Sequence, residues 1–219
     1  MSSINSKGFT ITELLMVLAV AGGMIAILFT VTFNYYVATV KAEAATQMAL
    51  ESHSLLNQLT EDIRLADSIG GTNTVSDPSN PGGWTTNDPS NIIIIQSPAT
   101  EADKDIIYDS STGYPFSNEY IYFLNDNSMY KRILANSNAV GNSAITTCPE
   151  SNASPSCPKD KLFSSKITNL TFTFYDINDA QTTNAAEARS ILFVVNMEKD
   201  IYDETITINN STRITLRNQ

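Results

Sequence analysis

The sequence predicts an α+β protein in which one long N-terminal helix packs on an antiparallel β-sheet head. Three observations support this prediction. Twenty residues without a charge, Leu14 to Phe33, are followed by apolar residues at the 3-4 spacing of a helix. From Ile92 onward, apolar residues alternate with polar ones, as in half-buried strands. The chain has 219 residues, 42% of them hydrophobic, which leaves enough for one globular domain beyond the apolar run.

The apolar run is long enough to span a membrane as a helix. It exceeds the apolar core of a secretory signal, and no small-residue cleavage site closes it. Tyr35 and Tyr36 follow, as is typical of a membrane–water boundary. Lys7 and the initial amine precede the run without any acid, so the positive-inside rule predicts a cytoplasmic N-terminus and an exported C-terminal part. We therefore expect a single-pass protein of the cytoplasmic membrane.

The helical pattern continues beyond the two tyrosines, where small and apolar residues share one face. We expect one helix over residues 9–68, ended by Gly70-Gly71 as a C-cap. The expected organisation is a short segment 1–8, a membrane-spanning part 9–36, an amphipathic part 37–69 and a β-rich head 70–219. The predicted packing stripe consists of Ala49, Ser52, Leu56, Leu59, Ile63 and Ala66.

The head is predicted to contain eight strands and a hairpin that turns at Asp126-Asn127. In the stretch LTFTFYD, Leu170, Phe172 and Phe174 face one way, which predicts a sheet with one covered face. Residues 70–91 are rich in turn formers and predict an exposed loop, with Trp84 covering the edge of the core. The predicted strands are Ile92–Gln96, Asp105–Tyr108, Tyr120–Leu124, Met129–Leu134, Thr168–Tyr175, Ile191–Met197, Thr205–Ile208 and Arg213–Leu216.

Cys148 and Cys157 are the only cysteines, and they lie in a loop rich in Pro, Ser and Asn. Their even number and the exported location predict a disulfide, with free thiols as the alternative. Since His53 is the only histidine, a zinc site is not expected. Asp176 to Glu187 matches a calcium-binding EF-loop only in part, so a solvated hairpin loop is favoured there.

Other functional classes receive no support from the residues. The net charge is −10, and the 13 Lys and Arg residues form no run, so nucleic acid is not a predicted partner. No nucleophile motif, phosphate loop or histidine base is visible, so we expect a protein that is not an enzyme and has no cofactor.

The stretch KGFTITELL resembles the class III leader of type IV pilins and type II secretion pseudopilins. The match rests on Lys7, Gly8, Phe9 and Glu13, followed by the long apolar segment. The resemblance implies cleavage after Gly8 by a prepilin peptidase and N-methylation of Phe9. It also implies that Glu13 meets the N-terminal amine of a neighbouring subunit, because two opposite buried charges that pair offset each other's desolvation. Gly22-Gly23 stands where major pilins commonly carry a proline further along the helix.

The order of strand motifs in the head resembles the PilW-type minor pilins and the J-type pseudopilins. These motifs are a hairpin from Tyr122 to Arg132, then ITNLTFTFYD, RSILFVVNM and TRITLRN. The resemblance implies a structural minor pilin that belongs to a priming complex in or at the tip of a filament. Its expected partners are the prepilin peptidase, other major and minor pilins and the inner-membrane assembly platform. A pseudopilin of a secretion or competence system, and an exported membrane-anchored binding domain that never polymerises, are the alternatives.

Overall fold

A computed structural model of the chain describes residues 10–87 and 91–216. The chain divides into two compact units, Met1–Ala44 and Ala45–Gln219. Helix α1 spans Ile11–Arg64 and continues without interruption through Gly22-Gly23. The strands within the described residues form two antiparallel sheets. The predicted α+β class is therefore confirmed.

The first sheet, here called sheet A, has five strands in the order in which they occur in the sequence. Consecutive strands pair antiparallel throughout, so sheet A is a meander. The two-residue turn between Asn125 and Ser128 confirms the predicted hairpin at Asp126-Asn127. The strands are β1 (Ser68–Gly70), β2 (Ile92–Pro98), β3 (Ser117–Asn125), β4 (Ser128–Leu134) and β5 (Lys161–Ser164).

The second sheet, sheet B, has four strands in the order β7-β6-β8-β9. Its strands are β6 (Ile167–Tyr175), β7 (Gln181–Thr182), β8 (Ser190–Ile201) and β9 (Glu204–Thr215). Strands β8 and β9 form a hairpin with twelve paired residues on each side. Short 3-10 turns lie at Glu150–Asn152 and Ala185–Glu187.

The helix ends earlier than the sequence pattern predicts. It stops at Arg64, and Ser68–Gly70 forms β1 instead of a last turn and a cap. The reason is strand pairing, because Ser68 and Gly70 lie opposite Gln96 and Ile94 of β2. Pairing with a buried strand therefore prevails over the helical spacing of these residues.

Two strand predictions also differ from the structure. Residues 105–108 make only isolated bridges, from Ile106 to Thr100 and from Tyr108 to Pro115. The segment predicted as Thr205–Ile208 and all of the segment predicted as Arg213–Leu216 except Leu216 belong to one continuous strand, β9, since the polar residues between them pair with β8 as well. The sequence pattern also does not predict that the strands form two separate sheets.

The main core of the head lies between α1 and both sheets. From α1, Met48, Leu55, Leu59 and Ile63 are buried in it. From sheet B, one face of β6 enters the core through Leu170, Phe172 and Phe174, as their alternation predicts.

Sheet A is covered on both faces near its centre. The run of four isoleucines in β2 is buried throughout, although successive side chains point to opposite faces. Ile93 and Ile95 belong to the main core, whereas Ile92 and Ile94 belong to a smaller apolar cluster. The half-buried Trp84 packs against that smaller cluster, so it covers a core edge as predicted.

Candidate functional site

The N-terminal part of α1 is the first candidate site. Gly8 and Phe9, the predicted processing residues, lie outside the described residues. From Ile11 the helix contains an 18-residue window with mean hydropathy 2.6, and none of that window is buried. Its length and composition suit a membrane span, although a signal sequence passes the same criteria. Tyr35 and Tyr36 are exposed beyond the apolar run.

Glu13 takes part in the hydrogen bonds that begin the helix. The backbone N–H and the hydroxyl of Thr10 both donate to Glu13 Oε2 at 2.9 Å. In return, the Glu13 N–H donates to Thr10 Oγ1 at 3.3 Å. This reciprocal arrangement is a capping box, which provides partners for backbone N–H groups that a helix start otherwise leaves unpaired. The sequence signal for this capping box is the pattern T-x-x-E, from Thr10 to Glu13.

Gly22 and Gly23 have no packing role within the described residues. A Cβ placed on either residue meets no atom within 4 Å, apart from the helix's own backbone. The surface around them is therefore open to a neighbour that would approach the helix backbone closely.

The second candidate site is an ion cluster around Arg132 on β4. Its guanidinium donates to Asp160 Oδ2 at 2.6 Å and to Asp77 Oδ2 at 2.9 Å, and all three side chains are almost wholly buried. The Trp84 indole N–H also donates to Asp77 at 2.7 Å. The Thr147 hydroxyl donates to Asp160 at the same distance.

The cluster changes the protonation equilibria of its members. Burial alone would raise the pKa of the Asp77 carboxyl, but the hydrogen bonds from Trp84 and Arg132 hold that pKa below its ordinary value. Burial alone would lower the pKa of the Arg132 guanidinium, yet its bonds to Asp160 and Asp77 raise that pKa. Both groups therefore stay charged at neutral pH. No sequence pattern predicts this cluster, since its members lie far apart along the chain.

The disulfide joins Cys148 to Cys157, with their Cα atoms 5.6 Å apart. The bond predicted from the cysteine count is therefore present. The loop it closes is attached to sheet A through the cluster, because the Asp160 N–H donates to the Cys148 carbonyl at 2.8 Å. Cys148 is thus hydrogen-bonded to Asp160, the residue whose carboxylate binds Arg132.

A third polar group links α1 to sheet A within the head. Asp62 lies on α1 and accepts hydrogen bonds from the Tyr122 hydroxyl and from Lys131 Nζ. Lys131 Nζ also lies 4.0 Å from the centre of the Tyr120 ring, a cation–π contact. Burial lowers the pKa of Lys131, partly offset by Asp62, while burial and then the charge of Asp62 raise the pKa of Tyr122.

Glu119 of β3 is a fully buried carboxylate that holds the segment after β1. It accepts the Thr74 N–H at 2.7 Å, the Thr74 hydroxyl at 2.8 Å and the Val75 N–H at 3.1 Å. Together with Asp77, it fixes a segment that the sequence predicts as an exposed loop.

A groove of about 620 Å³ opens beside the ion cluster, lined by Phe123, Tyr130, Pro149 and Leu162 among others. Arg132 also lines it, but its donors face the carboxylates already described. Within residues 10–87 and 91–216 there is no group of three His, Cys, Asp or Glu residues that could hold a metal ion. Asp176, the first residue of the partial EF-loop match, accepts the N–H groups of Asn178 and Ala180.

These observations define a protein with one N-terminal apolar helix of membrane-spanning length and a disulfide-bonded, β-rich head. Comparison with protein-family models and with curated protein sequences finds no match for this chain.

Proposed function

We propose that this chain is a structural minor pilin that is cleaved after Gly8 and assembled into or at the tip of a type IV filament. The observation that carries the proposal is the unbroken helix α1. It is apolar and exposed over the residues that follow the leader-like motif, and from Met48 onward its residues enter the core of the head. One helix therefore has an exposed apolar segment and a segment that packs in the core of the head.

The spacing of the leader motif supports the same proposal. A basic residue, Gly8, Phe9 and a single acid, Glu13, precede an apolar run long enough for a membrane or for the core of a helical bundle. The open surface at Gly22 and Gly23 suits close packing against the helix of another subunit.

Assembly places a second demand on Glu13. Its carboxylate caps its own helix through Thr10, whereas the resemblance implies an ion pair with the N-terminal amine of a neighbouring subunit. A carboxylate has two oxygens and about four acceptor positions. Thr10 donates to Oε2, and among the described residues no hydrogen bond occupies Oε1, which leaves that oxygen for a neighbour's amine.

The experiment separates capping from docking with two substitutions. Glu13→Gln keeps a side chain that serves in a capping box but removes the charge. Glu13→Val removes both. The measured quantity is the fraction of mature protein in sheared filaments rather than membranes, in cells that express a prepilin peptidase and the assembly machinery.

If Glu13 is a docking charge, both variants leave the filament fraction and accumulate in the membrane, while cleavage after Gly8 persists. If Glu13 serves as a cap alone, Glu13→Gln partitions like the wild type and only Glu13→Val fails. A wild-type chain that keeps residues 1–8, or that never leaves the membrane, would contradict the proposal itself. The matched control is Glu43→Gln, an exposed acid on the same helix.

A further inference from the structure

The four edge strands of the two sheets differ greatly in length. Sheet A ends in β1 and β5, which have three and four residues. Sheet B ends in β7, which has two residues, and in β9, which has twelve. Edge strands that are short expose few unpaired backbone groups, which is one way in which proteins avoid edge-to-edge association. Strand β9 lacks this protection.

The hairpin geometry shows which backbone groups of β9 point away from β8. Ile201 and Glu204 flank a two-residue turn, and in such hairpins the flanking pair is hydrogen-bonded. The N–H and C=O groups of alternate residues, starting from Glu204, therefore point to β8. The N–H and C=O groups of the other residues point to the edge; these are Thr205, Thr207, Asn209, Ser211, Arg213 and Thr215.

The usual guards against strand addition are also missing from β9. The strand contains no proline and no lysine, and its twelve pairs with β8 follow one another without a bulge. By contrast, the register shifts between β4 and β5 and between β6 and β8. The cation of β9, Arg213, turns inward across the sheet, where it binds Ser190 and Asp179 and covers the Tyr175 ring.

We propose that β9 pairs antiparallel with β9 of a second copy of this chain, so that two four-stranded sheets become one continuous sheet of eight strands. A twofold axis through Asn210 keeps the core-facing side chains on one face. It places Ile206 opposite Ile214, and Arg213 opposite Thr207.

The choice of a second copy follows from the side chains of the strand. In this register Thr205 lies opposite Thr215, Ile206 opposite Ile214 and Asn209 opposite Ser211, and no like charges lie opposite each other. Ile206, Ile208 and Ile214 already contact the main core, so pairing would extend an existing apolar face.

The test uses the full chain in detergent micelles, because the head has not been shown to fold alone. Light scattering across a dilution series gives the mass of the protein component. Hydrogen exchange of the peptide that covers β9 is followed in the same samples. We expect twice the monomer mass at high concentration, and slower exchange in β9 when the dimer forms.

Two variants locate the contact, and a third serves as the control. Ser211→Pro removes an N–H that points outward, so it blocks strand addition while leaving the bonds to β8 in place. Asn209→Lys puts a charge at the centre of the edge. Val140→Lys adds the same charge at a residue that is 85% exposed and lies outside the strands.

Each edge variant should weaken dimerisation by roughly tenfold or more, about 1.4 kcal/mol, whereas Val140→Lys should dimerise like the wild type. A wild-type monomer at every concentration would overturn the proposal. So would a dimer that both edge variants leave intact, since association through the apolar part of α1 predicts that result. The measurement involves no filament, so its failure would leave the proposed pilin function untouched.

Discussion

Lys131 Nζ lies 2.5 Å from Oδ2 of Asp62, and both side chains are about nine-tenths buried. This ion pair connects α1 to β4 across the core of the head. Tyr122 donates to the same carboxylate oxygen, so one acid on the helix holds two side chains of sheet A. Burying two charges is costly, and their attraction offsets that cost only while both partners are present.

Removing one partner of this pair should destabilise the head strongly. For Asp62→Ala we expect a loss of about 3–5 kcal/mol in the free energy of unfolding, because the Lys131 ammonium is left buried without a counter-charge. The double variant Asp62→Leu with Lys131→Met should lose less than the sum of the two single changes. Denaturant unfolding of the full chain in detergent measures Asp62→Ala, the two single variants Asp62→Leu and Lys131→Met, and the double variant. Strictly additive effects would show that the two residues are not coupled.

Stability should fall at high pH because of the tyrosines beside Asp62. Burial, followed by the charge of Asp62, raises the pKa of both Tyr120 and Tyr122 above their ordinary value of 10.0. Above pH 10 the unfolded chain loses these protons while the folded chain keeps them. Stability is therefore fully present below pH 10 and declines by up to about 1.4 kcal/mol per pH unit for each group above it.

The titration of Lys131 changes the stability in the opposite direction over a limited pH range. Its pKa is below the ordinary value of 10.5, so its contribution to stability rises with pH only until the unfolded lysine has also lost its proton. Above about pH 10.5 the decline due to the tyrosines should remain. Tyr122→Phe should make the stability–pH curve flatter there, whereas Tyr114→Phe, at a residue that is 75% exposed, should not. Parallel curves for wild type and Tyr122→Phe would contradict the assignment.

A lysine at position 132 should not stabilise the ion cluster as the arginine does. A lysine ammonium is a single point charge and cannot contact Asp77 and Asp160 with the fork geometry of a guanidinium. We expect a loss of about 3 kcal/mol or more for Arg132→Met, because two carboxylates are left buried, and only partial recovery for Arg132→Lys. The matched control is Lys159→Met, whose ion pair with Glu150 is largely exposed. Equal stabilities for the three variants, measured by denaturant unfolding, would contradict a structural role for the cluster.

Loss of the disulfide should loosen the head near Arg132 and leave sheet B intact. In the chain-entropy model a loop this short contributes roughly 2–3 kcal/mol. For Cys148→Ser with Cys157→Ser, hydrogen exchange should become faster at residues 147–160 and in β5. The β8–β9 hairpin should exchange as in the wild type. Uniformly faster exchange over the whole head would mean that the disulfide supports global stability instead.

The elements that the sequence predicts well are those with a local pattern. The alternation of Leu170, Phe172 and Phe174 identifies β6, and the turn at Asp126-Asn127 identifies the hairpin, because both depend on neighbours in the chain. The predicted end of α1 was wrong, since Ser68–Gly70 pairs with residues more than twenty positions away. Local propensity carries no information on such a partner.

The buried polar residues escaped prediction for a related reason. Asp62 lies on the core-facing side of α1, but a lone acid in an amphipathic pattern is ordinarily assigned to the solvent side. Its partner Lys131 follows 69 residues later. The same holds for Asp77, which lies in a stretch rich in turn formers and meets Arg132 only in the folded head. A charge that is paired in three dimensions leaves no periodic signal in the sequence.

The attachment of two long connections to Arg132 has a consequence for sequence divergence. Asp77 fixes the connection between β1 and β2, and Asp160 fixes the one between β4 and β5. The exposed stretches between such fixed points, such as residues 150–156, contribute little to the core. Insertions and deletions there should therefore be tolerated, so that related chains can diversify the surface of the head while the scaffold beneath it stays the same.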